Sequence, residues 1–486
     1  MPDLPRQSRS PVSTPHIRPP AVMEGEAVAA GGIQQQQQHE WKEYVMNETI
    51  IYGLGGLVAL AIAVLVVIKP TRPAALAALG WLASIGRRAW WWLRFRLTWK
   101  SVAREAGLSK RRTKRVKRMG VGEESIEKWR DPRLKRVKTS AHSVTLKVRT
   151  RRGQALADLE AFAPKLAATY SADAYRVFPA KRRAGSTVMF ELVMRDLIKT
   201  PAVAAKPDPR MQTETVRLGR RQSGKPFDLQ IEQRHTVAVG ASGSGKGSIL
   251  WGVVGSLAPS IAVDAVRAYG IDLKGGMELT MGAPLFTKIA VTGEQAVEML
   301  RDFVAIADQR TEELRGHSRN HKPGPGDPLY LLVIDELASL TAYADREVKQ
   351  EAERLLKRLL SIGRAVGVVV VAFVQDPRKE VIDMRGLFTQ TIALRLRSAM
   401  ETNMVLGDGM APFAPAHRIL KGAQGTAWII DEDGSTDRVR ADYWSDDLIR
   451  RVASLYPAEP ELVTISDAAP GDLPGMQLSL TDGGSR

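Results

Sequence analysis

The residues Gly240-Ala241-Ser242-Gly243-Ser244-Gly245-Lys246-Gly247-Ser248 follow the apolar run His-Thr-Val-Ala-Val and lead into Ile249-Leu250-Trp251. The stretch therefore reads as strand, glycine loop, helix. Such a turn aims backbone N–H groups at phosphate oxygens, and the helix that follows adds the positive end of its dipole. Lys246 is spaced to reach the β- and γ-phosphates of a nucleotide. In the usual motif a serine or threonine directly after the lysine holds magnesium. Here Gly247 stands in that place and the hydroxyl comes one residue later, at Ser248. A flexible Gly/Ser turn is the plainer account of these residues taken alone.

Two further strand ends add to it. Leu329-Tyr-Leu-Leu-Val-Ile is a buried-type strand that runs into Asp335 and Glu336. Carboxylates there reach the crevice in which open α/β sheets bind ligands, so Asp335 suits a magnesium shell and Glu336 suits activation of water. The apolar run Gly367 to Val374 ends in Gln375, whose amide suits sensing the γ-phosphate or positioning water, or simply caps the strand. Together the three strand ends describe a nucleotide-hydrolysing core that takes ATP and Mg²⁺, with Gly240 to Ser248 as cradle and Ser248 and Asp335 as metal ligands.

The elements that must position these groups divide the chain. From 209 to 456 apolar strands alternate with helical segments, as in a mostly parallel α/β sheet. Before it, residues 141–208 read as a small β-α-β-β domain and linker: SVTLKVR as strand, ALADLEAFAPKLAATY as helix, then YRVF and TVMFELVM as strands. Residues 1–48 and 457–486 have the composition of flexible tails. The region 49–96 reads as membrane-associated. Residues 50–68 lack charge over a length that crosses about 30 Å of hydrocarbon as a helix. The segment 74–92 is short for a span and is flanked by Arg87, Arg88, Trp90 to Trp92, Arg94 and Arg96, so it either crosses or lies at the interface. Both readings place the remainder in the cytoplasm.

The 486 residues carry a formal charge of +17 and no cysteine. Disulfides and thiolate chemistry are excluded, and the partners favoured are nucleic acid or an anionic membrane. Residues 97–140 read as a basic juxtamembrane linker, with Lys110 to Arg118 (KRRTKRVKR) suited to lipid headgroups and to DNA alike.

In order along the chain, several blocks resemble the FtsK/SpoIIIE family of membrane-anchored DNA motors, and more narrowly the FtsK-like transfer proteins of actinobacterial conjugative elements. They are GASGSGKGS, Ile271-Asp272-Leu-Lys274-Gly-Gly-Met-Glu278-Leu, the helix around Arg310, LLVIDELASL, SIGRAVGVVVVAFVQDP and TIALRLRS. The resemblance implies a RecA-like P-loop ATPase domain behind a small α/β domain and one or two transmembrane helices, a homo-hexamer encircling double-stranded DNA, and residence in the cell membrane with the ATPase in the cytoplasm. It further implies ATP bound between subunits, with Lys246, Asp335, Glu336 and Gln375 on one side and an arginine from the neighbour on the other. Arg364, Arg395 and Arg397 are the candidates for that arginine. The sequence departs from the family at Gly247, at Gln375-Asp376-Pro377, where Q-R-P is usual, and at Asn403, where an arginine is usual. Two other readings compete: a protein-secretion ATPase of the same superfamily, and a membrane scaffold that binds nucleotide or DNA without hydrolysis.

Overall fold

A computed structural model describes residues 72–458 apart from 119–121, 152, 155, 181–185, 343, 378–383 and 432–433. The expected span at 50–68 lies outside the described residues. The expected segment 74–92 falls within a helix, Arg72–Glu105, that is interrupted by arginines and tryptophans. Among the described residues, no helix is long and apolar enough to cross a membrane.

The chain divides into two compact units, Met1–Leu93 and Arg94–Arg486. In the second unit, residues 110–118, 122–130 and 133–139 are strands where charge alone suggested a linker. Strands β1 (Lys110–Arg118) and β2 (Gly122–Arg130) pair as an antiparallel hairpin. The next strand, β3 (Arg133–Thr139), joins β4 (Ser143–Arg149), β5 (Ala174–Pro179) and β6 (Thr187–Val193) in an antiparallel sheet of order β3-β4-β6-β5. Strand β3 carries five charged or polar residues yet buries Val137, so its basic composition hides an edge strand. The stretch expected as one helix is two short ones, Leu156–Glu160 and Ala163–Thr169, because Pro164 cannot continue the first and instead starts the second. Helix residues after Arg94 complete this small domain. Phe95 is fully buried with its ring centroid 3.9 Å from that of Tyr170, and Trp99 Nε1 donates to Pro132 O at 2.9 Å.

The large domain is built on a ten-stranded sheet in the order β11-β10-β12-β13-β9-β14-β15-β16-β7-β8. Strands β11 (Lys288–Ala290), β10 (Val266–Ile271), β12 (Leu329–Ile334), β13 (Val368–Val374), β9 (Thr236–Val239) and β14 (Gln390–Ala393) are mutually parallel. Strands β15 (Thr426–Ile430), β16 (Thr436–Ala441), β7 (Thr215–Arg221) and β8 (Pro226–Gln230) continue it antiparallel. The parallel strands read as unbroken apolar runs because both faces are covered. Along β13, Val368, Val370, Ala372 and Val374 face a core formed with helices Gly293–Leu314 and Arg346–Ile362. Val369, Val371 and Phe373 face the opposite core, against helix Lys246–Ile261.

Candidate nucleotide site

The central parallel strands end at one edge, and the sequence-predicted residues on β9, β12 and β13 meet there. Strand β9 runs into the glycine loop, whose start is held between its neighbours: Gly240 N donates to Val374 O of β13, and Ala241 N to Arg395 O beyond β14, each at 2.9 Å. Gly243 and Gly245 have φ of +68° and +97°, a backbone that residues with a Cβ rarely adopt. Gly245 is needed for a second reason, since a Cβ there would stand 2.2 Å from Gly425 N. That turn braces the loop, with Gly425 N donating to Ser244 O at 2.9 Å.

Lys246 opens helix Lys246–Ile261 and donates to Gly240 O at 2.9 Å, so its ammonium lies inside the cradle. Burial lowers its pKa to about 8, partly offset by the Glu336 carboxylate, and at neutral pH it remains cationic. The left-handed glycines, the helix N-terminus and the inward lysine together fit a polyphosphate.

Beyond β12, Asp335 and Glu336 share one cation: Lys274 Nζ lies 3.1 Å from Asp335 Oδ2 and 3.5 Å from Glu336 Oε2. Burial works to lower the pKa of Lys274, and the Asp335 and Glu336 carboxylates outweigh it and raise it. Glu336 is 7% exposed, and burial raises its pKa although Gln375 N donates to Oε1 at 3.2 Å. Gln375 therefore touches the acid through its backbone.

Lys274 reaches the carboxylates because Asp272, itself 1% exposed, ties down the loop after β10. It accepts from the N–H groups of Lys274, Glu278 and Leu279 at 3.2, 2.9 and 3.2 Å. Gly275 and Gly276, both at positive φ, let the chain turn back. Glu278 then faces the lysine's helix, where Trp251 Nε1 donates to its Oε1 at 3.0 Å. Burial raises the pKa of Glu278. The block containing Asp272, Lys274 and Glu278 was visible as part of the family resemblance, but its place beside the phosphate loop follows from the parallel pairing of β10 with β12 and was not read.

The three candidate arginines scatter. Arg395 donates to Ser242 O at 2.9 Å and so belongs to its own subunit's phosphate loop. Arg397 is exposed just beyond it, its N–H capped by Glu401. Arg364 lies before β13, at the opposite end of that strand from Gln375, where it adds to the burial that depresses the pKa of His235. Ser248 follows in the first turn of the lysine's helix and is half-buried. Among the described residues no group of three His, Asp or Glu side chains is spaced to hold a metal unaided. A magnesium ion here needs the oxygens of phosphate and water as well as protein.

The fold and the site define a P-loop ATPase domain: a mixed, mostly parallel α/β sheet with a phosphate loop after β9 and paired acids after β12, on either side of β13. Residues 202–327 match the FtsK/SpoIIIE family. The chain is 25% identical over 336 residues to transfer protein TraSA of Streptomyces ambofaciens, covering 64% of this chain and 79% of that one. It is 23% identical over 314 residues to DNA translocase FtsK of Staphylococcus aureus, covering 60% of this chain and 38% of that one. The match to FtsK thus spans well under half of the relative's length. Among solved structures, the pCW3 conjugation coupling protein TcpA with ATPγS shares the fold at a TM-score of 0.50 and 19% identity, covering 67% of this chain and 94% of that one.

Proposed function

We propose that the chain is an ATP-driven translocase of double-stranded DNA, anchored in the cell membrane and working as a homo-hexamer in conjugative transfer of a plasmid or integrative element. The observation that carries this reading is the meeting of Lys246 after β9 with Asp335 and Glu336 after β12, on either side of β13, at one edge of a sheet whose family is one of DNA motors. Transfer is favoured over chromosome segregation because relatives named for transfer and conjugation align over the larger share of their own length. The charge of +17 suits a polyanion, and the apolar residues 50–68 suit an anchor with the ATPase in the cytoplasm.

Lys246 neutralises the phosphates, and a magnesium ion supplies Lewis-acid polarisation of the transferring group. Glu336 takes the proton of the attacking water. Its burial lifts it toward the range in which a carboxylate is an effective base near neutral pH. Lys274 bridges Asp335 and Glu336, and Gln375, joined to Glu336, links the acid to the end of β13. In the ring a neighbour's arginine completes the charge. Arg395 is already held against its own loop, so Arg364 and Arg397 suit that role better.

ATP turnover by the full chain in detergent, with and without linear duplex DNA, tests the proposal. Stimulation by DNA that is abolished in Lys246→Ala supports it. Stimulation by a secreted polypeptide instead of DNA replaces it with the secretion reading. Nucleotide binding without turnover, the outcome Gly247 makes worth testing, replaces it with the scaffold.

A further inference from the structure

The residue after the lysine has no side chain, yet the space beside it is filled. A Cβ on Gly247 would stand 2.9 Å from Glu278 Oε1, closer than real Cβ atoms come to a neighbour. A serine in the usual place would therefore require this carboxylate, the far end of a flexible side chain, to shift from its bond with Trp251. The carboxylate occupies the volume into which the usual hydroxyl would project.

Glu278 is also held there through both its backbone and its carboxylate. Its N–H is fixed by Asp272, and its Oε1 accepts from Trp251, which sits on the lysine's own helix and is 3% exposed. The indole is backed by Gly282, where a Cβ would come within 2.6 Å of the ring. Ser248 is the other oxygen nearby, but it is one residue further along a helix and so turned by about 100° from the position of Gly247. Asp335 and Glu336, the carboxylates after β12, are already paired with Lys274.

Resting on the nucleotide site proposed above, we propose that Glu278 is the protein ligand that replaces the missing hydroxyl, binding the divalent cation that accompanies the nucleotide. Hard cations such as Mg²⁺ take carboxylate oxygen readily and commonly use one or two carboxylates beside phosphate and water. The exchange of a neutral hydroxyl for a charged oxygen explains why Gly247 carries no side chain. A purely structural Glu278, present only to accept the Trp251 N–H, makes a different prediction, because a glutamine accepts that hydrogen bond equally well.

The test uses the full chain in detergent and the affinity for ADP, by calorimetry, in EDTA and in Mg²⁺, with binding of Mn²⁺ in the presence of ADP followed by electron paramagnetic resonance. Outer-shell partners of metal ligands are worth about 10–100-fold in metal affinity, so removing a direct ligand should cost at least about tenfold. Glu278→Gln is expected to keep the metal-free ADP affinity, to lose most of the gain given by Mg²⁺, and to weaken Mn²⁺ at least about tenfold. The paired change Gly247→Ser with Glu278→Ala, which restores a hydroxyl and removes the clash, is expected to recover the gain, and it keeps the question open to test if Glu278→Gln folds poorly. Full retention of the Mg²⁺ gain in Glu278→Gln overturns the inference. In that event its loss in Ser248→Ala assigns the place to Ser248, and its retention there too assigns it to water. Failure of the parent chain to bind ADP in either condition overturns the nucleotide site itself, and with it this inference.

Discussion

The ten-stranded sheet has two halves that share hydrogen-bonding continuity and differ in what they deliver. Its six parallel strands are apolar on both faces, and their polar residues are confined to the ends, where Lys246, Asp335, Glu336 and Gln375 stand. In the antiparallel half, arginines sit within the strands. Arg176 of the small domain pairs with Glu191 and reaches across to Phe413 O at 2.6 Å and Thr436 Oγ1 at 2.8 Å, with its guanidinium 5.1 Å from the Trp428 ring centroid. Arg438 of β16 returns a bond to Asp196 at 2.9 Å. Arg440, 3% exposed, donates to Ile198 O at 3.0 Å, to Lys199 O, and to Gln424 O at 2.9 Å, next to the Gly425 that braces the phosphate loop. One half carries the candidate nucleotide site, while the other docks a domain and braces the phosphate loop through Arg440.

That contrast can be broken from either side. The largest effect is expected in the parallel half: Glu336→Gln should lower DNA-stimulated turnover about 10²–10³-fold, a typical cost of removing a group on which proton transfer depends, while nucleotide binding measured by calorimetry persists. In the small domain that docks on the antiparallel half, Arg176→Ala strands the half-buried Glu191 carboxylate. It should lower the unfolding free energy in urea by about 3 kcal/mol, with nucleotide affinity retained. Arg440→Ala sits where the halves meet. It should cost about 2 kcal/mol in the same urea experiment and, unlike Arg176→Ala, also weaken nucleotide binding. Unchanged nucleotide affinity in Arg440→Ala would reduce that arginine to a docking residue.

The smallest effect is a pH dependence. Burial brings Lys246 from the usual 10.5 to about 8, so between those values the folded chain has released a proton that the unfolded chain keeps. Stability gains with pH across that window, whereas phosphate binding needs the cation and should weaken as pH rises past about 8. Calorimetric ADP affinity from pH 7 to 9.5 checks both the direction and the onset, although bound phosphate, by favouring the charged lysine, shifts the onset upward.

Legibility in the sequence followed the same division. The parallel strands were readable because double-sided burial imposes uninterrupted apolar runs, and their ends were readable because chemistry is placed just after each run. Strand β3 was not, because an edge strand needs only alternate burial and its basic residues resemble a solvated linker. The split at Pro164 was foreseeable from the proline alone, yet the apolar spacing across it continued as if for one helix. Arg440 was invisible as a brace, since all of its partners lie in loops that pairing of β7, β15 and β16 brings together.

By itself the sequence determined the phosphate loop, the acidic and amide strand ends, and a basic chain of the FtsK/SpoIIIE kind, because each depends on neighbours within a few residues. It also posed the question of Gly247. Only the tertiary structure decided that Glu278, thirty-one positions away, fills the space beside that glycine, that Arg395 belongs to its own loop, and that Lys274 joins the two acids. Those contacts depend on the order and register of parallel strands. Long-range pairing sets that order, and local sequence does not record it.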